Sequence, residues 1–204
     1  MKTAVIVGQN QPDEVSDGII ALHGRTIIFE PLPEAAKACR DRYANQPGVI
    51  VVQAACGKHF DQAELRVYNT DGLSSSLGTM SQKAVDLYSH YDLSEQRMEV
   101  VQVVNLGYML DMLGIVAVDC MMIDAQGMDF TILQTVESMV RGGRIGYLQL
   151  EADGNGFKHY HGLPDNSESA IVQWMGRYPR YAPSKLDNRM DEQPDLVFLL
   201  DASA

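Results

Sequence analysis

Three short apolar runs in this chain end on a carboxylate: TIIFE at Glu30, CMMID at Asp124 and LQLE at Glu151. Runs of this kind read as buried strands, and a carboxylate is seldom set at the mouth of one unless something there uses it. A fourth run, TAVIV, is followed by Gly8 and then by the start of a helix. In an open parallel α/β sheet, ligands bind beyond the carboxyl ends of the strands, so these positions are expected to share one crevice. Gly8 would let a ligand approach the backbone, and the helix start would offer unpaired N–H groups. Glu30, 22 residues further on, is spaced to accept both hydroxyls of a ribose. The competing reading is a solvated loop carboxylate capping the next helix.

The glycine loop narrows the ligand. VGQNQPDE lacks the second and third glycines of a pyrophosphate loop, and Asp13 and Glu14 stand where phosphate would lie. That pattern disfavours NAD or FAD, and with them a dehydrogenase. It suits S-adenosylmethionine, which joins a ribose and an adenine to an amino-acid tail and a positive sulfonium.

Methyl transfer is an in-line displacement in which the protein positions the acceptor and excludes water. A hydroxyl acceptor also needs a base. Asp124 is one candidate, although it could instead bind the cofactor or cap the helix near Met128. The glycine-flanked segment GNGFKHYHG offers His159 as a second candidate. His159 and His161 could alternatively join Asp153 or Glu151 around a metal, or lie exposed in a loop; no metal site is assigned. Trp174, Tyr178 and Tyr181 either line an acceptor pocket or pack the C-terminal helix onto the sheet. Met109, Met112, Met121, Met122, Met139 and Met175 read as core filler.

The elements that must hold these residues alternate. Strands are expected at 3–7, 26–30 and 49–54, with helices at 12–22 (Asn10 or Gln11 near its cap) and 33–44 between them. A half-exposed edge strand at 63–68 precedes a polar, serine-rich flap or lid at about 70–98, with a helix near 82–91. A strand at 99–104 and a short helix at 106–113 follow. Regular alternation resumes with strands at 118–123 and 144–150 around a helix at 128–141 that ends at Gly142-Gly143. A helix at 167–177, a proline-punctuated connection at 178–193 and a strand at 195–200 complete the chain. The pattern predicts an α/β fold with a mostly parallel central sheet and helices on both faces, in a single domain.

Sixteen basic against 27 acidic residues give a net charge of −11 over 204 residues, which argues against nucleic-acid and anionic-membrane partners. No apolar run approaches the ~20 residues of a membrane span. The N-terminus reads as a first strand and not a signal peptide, and Cys39, Cys56 and Cys120 read as reduced buried thiols, so a cytoplasmic protein is expected. Oligomeric state is not legible.

Taken in order, FEPLPEAAKACRDRYANQPGVIVVQAACG, AELRVYN with SSSLG, VVQVVNLGYMLD, VDCMMIDAQGMDFTIL and YLQLEAD resemble the FkbM family of S-adenosylmethionine-dependent methyltransferases over roughly residues 3–151. The resemblance implies a Rossmann-like class I methyltransferase fold and O-methylation of a small molecule or sugar hydroxyl. It implies cofactor contacts from Gly8 and Asn10, from Glu30 with Pro31 at the ribose, and from the Ala54-Ala55 turn near the adenine. It further implies Ser75 and Ser76 beside the cofactor, and Asp124 near the methyl group. The chain departs from the family's pattern at Ile6, Gln11-Pro12, Lys58, Leu106-Gly107 and Asp129. The alternative is a non-catalytic binding module that kept the fold and lost a competent GQNQP loop.

Overall fold

The computed structural model describes residues 1–69, 71–154, 156–185 and 192–201. In chain order the elements are β1 (Thr3–Val7), α1 (Glu14–Leu22), β2 (Arg25–Phe29), α2 (Pro33–Arg42), β3 (Val49–Val52), β4 (Ala55–Gly57), β5 (Asp61–Tyr68), β6 (Thr79–Met80), α3 (Gln82–Leu87), β7 (Glu95–Asn105), α4 (Leu106–Met112), β8 (Val118–Ile123), α5 (Asp129–Thr135), α6 (Glu137–Arg141), β9 (Ile145–Glu151), β10 (Tyr160–His161), α7 (Glu168–Met175), β11 (Tyr181–Lys185) and β12 (Asp195–Leu200).

The main sheet has the order β11-β12-β9-β8-β1-β2-β3. Its strands pair in parallel from β3 through β9, and β12 runs antiparallel between β9 and β11. The strand order reverses between β1 and β8. Because β2, β1, β8 and β9 are neighbours, Glu30, Gly8, Asp124 and Glu151 all reach the same carboxyl-end edge.

The alternating side chains of the central strands feed two cores. Val5 and Val7 of β1, with Ile27 and Phe29 of β2, face the larger one, built with α4–α7 around Leu110, Leu133 and Ile171. Ile6 and Ile28 point the other way and meet Ile20 of α1 and Cys39 of α2. This two-faced burial is why the strands read as continuous apolar runs. Each such side chain contributes about 1.5–3 kcal/mol through its removal from water. A separate three-stranded sheet, β4-β7-β5, packs Leu65, Val67, Val101 and Val103 against Leu32 and Ala35.

Several expectations need correction. Helix α1 begins at Glu14, capped by Asp13 and not by Asn10 or Gln11: Asp13 Oδ1 accepts the Ser16 N–H at 2.8 Å, and Ser16 Oγ accepts the Asp13 N–H at 3.0 Å. This reciprocal pair predicts that Asp13→Ala lowers unfolding stability by about 1 kcal/mol, read by urea denaturation. The helix expected at 128–141 breaks at Val136, which ends α5 and starts α6. There the Thr135 hydroxyl donates to the Ile132 carbonyl at 2.7 Å, and two β-branched residues follow one another. Within the connection expected at 178–193, residues 181–185 form edge strand β11, and Pro183 is tolerated there because the strand has one neighbour; residues 186–191 lie outside the described residues. Met112 is 68% exposed and is no core filler. Among the described residues no helix is long and apolar enough to cross a membrane.

Candidate functional site

A cavity of about 460 Å³ opens at the carboxyl ends of β1, β2 and β8. Gly8, Asn10, Glu30, Pro31, Ala54, Ala55, Ser75, Ser76 and Asp124 all line it. Its size falls within the roughly 300–1,000 Å³ of small-molecule sites.

Glu30 is 3% exposed, which overturns the reading of a solvated loop carboxylate. Its Oε2 accepts the Asn10 N–H at 2.7 Å and its Oε1 accepts the Leu32 N–H at 2.8 Å. Each oxygen keeps a further lone pair for a ligand hydroxyl. Burial lifts this carboxyl to about 7 against the two N–H donors, which pull it down. Asn10 sits in the left-handed region at φ 48°, and both polar atoms of its side chain are buried without a partner among the described residues. That unused hydrogen-bonding capacity lies against the cavity.

Gly8 also answers to a backbone constraint. Its φ is +79°, and an added Cβ would stand 1.7 Å from the carbonyl oxygen of Asp124. The glycine is required where the chain leaving β1 passes the end of its parallel neighbour β8, and it also lines the cavity. The two serines are likewise committed within the protein: Ser75 Oγ donates to the Gly72 carbonyl and Ser76 Oγ to the Gln126 carbonyl, each at 2.7 Å.

After β8 the chain makes a tight turn with positive φ at Gln126 and Gly127. Asp129, fully buried, holds this turn by accepting the Ala125 and Gly127 N–H groups, each at 3.1 Å. Asn166 lies behind it, accepting the Phe130 N–H at 2.9 Å. The turn aims Gln126 across the site. Gln126 Nε2 donates to Asp124 Oδ1 at 2.6 Å and approaches Glu151 at 3.4 Å; its Oε1 accepts the Tyr160 hydroxyl at 2.7 Å. Asp124 keeps exposed surface but lies at the floor of the cleft, and this desolvation lifts its carboxyl to about 6. Burial and then the Asp124 charge push Asp129 up to about 8 and Glu151 well above the usual carboxylate range. Ionising Asp124 therefore disfavours ionising Asp129 and Glu151.

The structure does not bring His159 into this cleft. His159 is 4% exposed and lines a second cavity of about 280 Å³, so it is no exposed loop histidine. His161 is exposed. No group of three or more His, Cys, Asp or Glu residues with metal-binding geometry occurs among the described residues. Trp174 and Tyr178 pack against the main core, and the Tyr181 hydroxyl donates to the Ile145 carbonyl at 2.9 Å, so these three do not form an acceptor pocket. Gln126, Asp129 and Asn166 were not singled out as site residues from sequence, although the run VDCMMIDAQGMDFTIL contains the first two.

This strand order, with its cleft beyond β1, β2 and β8, defines the class I methyltransferase fold. The profile of the Methyltransferase FkbM domain matches residues 7–181, and the chain belongs to that family. The structure of Methyltransferase FkbM from Methylobacillus flagellatus KT is similar over 97% of this chain, with a TM-score of 0.61 and 12% identity. This chain spans 43% of that protein's length. An rRNA methylase from Streptococcus thermophilus matches at 9% identity and a TM-score of 0.48, over 98% of this chain and 86% of its own. A Streptococcus mutans protein solved in complex with SAH matches at 8% identity and a TM-score of 0.49, over 98% and 89%. No curated protein matches the chain.

Proposed function

We propose that this chain binds S-adenosylmethionine in the larger cavity and methylates a hydroxyl oxygen of a small molecule, such as a sugar. The observation that carries the reading is the buried Glu30 carboxyl on the wall of a cavity that also exposes Asp124. The first suits a ribose, and the second suits a positive centre. The orphaned Asn10 amide adds capacity for a polar tail. When bound, S-adenosylmethionine supplies an electrophilic methyl group on a sulfonium. Glu30 and Asn10 bind and orient, Asp124 lends negative charge, and the apolar walls Phe29, Leu65 and Met128 exclude water. A net charge of −11 disfavours nucleic acid as the acceptor.

Calorimetry tests the cofactor assignment: heat with S-adenosylhomocysteine and none with NAD is expected. The pH dependence gives a sharper check. A ribose hydroxyl donates more strongly to an ionised Glu30 than to the neutral acid, and burial lifts that carboxyl to about 7. Affinity is therefore full above pH 7 and falls as pH drops through it, by up to about tenfold per unit, with proton release on binding. Asp124, titrating at about 6, adds in the same direction at lower pH. A dissociation constant unchanged between pH 8 and pH 5.5 would remove Glu30 from the site.

A further inference from the structure

We infer that the second cavity is the acceptor site and that the Asp153–His159 pair takes the proton from an uncharged, hydroxyl-bearing ring bound there. This rests on the S-adenosylmethionine reading above. The two cavities share Leu73 and Gln126 in their walls. The two cavities therefore adjoin at these two side chains, of which Gln126 also joins Asp124 to Tyr160.

His159 has the arrangement of a positioned base. Asp153 Oδ1 accepts from both the backbone N–H of His159 at 3.0 Å and its Nδ1 at 2.8 Å. The imidazole and the carboxylate are both buried, with side-chain exposures of 6% and 9%. A carboxylate on Nδ1 fixes the tautomer that leaves a lone pair on Nε2. Nε2 is buried and has no partner among the described residues. An unpartnered ring nitrogen in such a setting is costly unless a ligand hydroxyl meets it. Asn69 Oδ1, in the same wall, is orphaned as well.

The rest of the wall selects the occupant. Tyr88, Tyr91 and Tyr160 with Met80 and Leu93 offer aromatic and apolar surface to the faces of a ring. No lysine or arginine lines the cavity among the described residues, so a phosphate or carboxylate would find no counter-charge beside Glu151. Burial pushes the Tyr88 phenol up to about 12, and its hydroxyl donates to Gln193 Oε1 at 2.7 Å, which leaves its oxygen to accept from a ligand hydroxyl. A volume of about 280 Å³ is the size of a single ring.

In the step, a lone pair of the acceptor oxygen forms the new O–C bond to the sulfonium methyl. The C–S bond breaks with its pair left on sulfur, giving S-adenosylhomocysteine. The hydroxyl proton passes to Nε2 of His159, and the imidazolium releases it to water after the methyl ether departs.

The test uses tritium transfer from methyl-labelled S-adenosylmethionine to methyl α-glucoside, methyl α-mannoside, methyl α-rhamnoside and phenol. Glucose 6-phosphate, glucuronate and a ribosomal RNA hairpin are assayed in parallel. At least one uncharged ring is expected to be methylated, and none of the anionic compounds. His159→Asn, which can still donate to Asp153, should cut transfer by about 10²-fold. S-adenosylhomocysteine affinity should stay within about twofold, because His159 lies outside the first cavity. Ala84→Leu adds bulk to the wall of the second cavity alone. It should abolish both transfer and the saturation-transfer NMR signal of the same ring on the S-adenosylhomocysteine complex, again with cofactor affinity kept. Three results with an intact cofactor complex overturn the inference: methylation only of RNA or anions, no methylation of any ring, or full transfer by His159→Asn. Absence of S-adenosylhomocysteine binding removes the cofactor reading, and this one with it.

Discussion

Gly8→Ala is expected to destabilise the protein by at least about 3 kcal/mol, the largest effect of any single substitution considered. Two costs add. A non-glycine residue at φ +79° is strained whatever the surroundings, and here the new methyl would also stand 1.7 Å from the Asp124 carbonyl oxygen. The clash cannot be relieved by a rotamer, because the backbone fixes the Cβ and its partner is a backbone oxygen. Nor can the strands slide apart freely: Gly8 N–H donates to Phe29 O at 2.9 Å, and Asp124 N–H donates to Val7 O at 3.0 Å. In urea, with a slope of about 1–3 kcal/mol per molar, the unfolding midpoint should fall by 1 M or more. Gly18→Ala provides the control. It is exposed on α1 with nothing within 4 Å of an added Cβ, and it should be neutral or slightly stabilising. A loss below about 1 kcal/mol for Gly8→Ala would mean that the close approach of the chain after β1 to the end of β8 relaxes easily.

Glu30→Ala is expected to weaken S-adenosylhomocysteine binding by about 1.5–3 kcal/mol, or about 10- to 150-fold in the dissociation constant. Part of that loss would come through the protein, since the Asn10 and Leu32 N–H groups lose their acceptor. Ligand fragments separate the two contributions. If Glu30 grips the ribose, methylthioadenosine should lose affinity as S-adenosylhomocysteine does, while free adenine loses little. Equal losses for all three ligands would assign the effect to the loop. Unchanged affinity for S-adenosylhomocysteine would take the carboxylate out of the cofactor site.

How much of this was legible beforehand varied with the physics of each feature. Strands 118–123 and 195–200 were read with their observed limits, because buried strands are apolar throughout and their ends are marked by polar residues. The cap of α1 was misplaced, since Asn10, Gln11 and Asp13 are all competent caps and only the backbone path chooses among them. The split of the 128–141 helix was invisible in its periodicity, because both halves present their apolar residues, Leu133 and Met139, to the same core.

The sequence by itself determined the sheet and the carboxylates at its edge. Hydrophobic period and residue type act locally, and they place Glu30, Asp124 and Glu151 at strand ends whatever the rest of the chain does. Only the tertiary structure decided what each of them touches. The order β2-β1-β8-β9 brings residues some 120 positions apart, from Glu30 to Glu151, to one edge of the sheet. The turn at Gln126-Gly127 then links Asp124 to Tyr160, and the contact of His159 with Asp153 goes with burial of a histidine that its glycine-flanked segment suggested would be exposed. Those contacts depend on long-range packing and on hydrogen bonds between segments, which no local pattern of residues encodes.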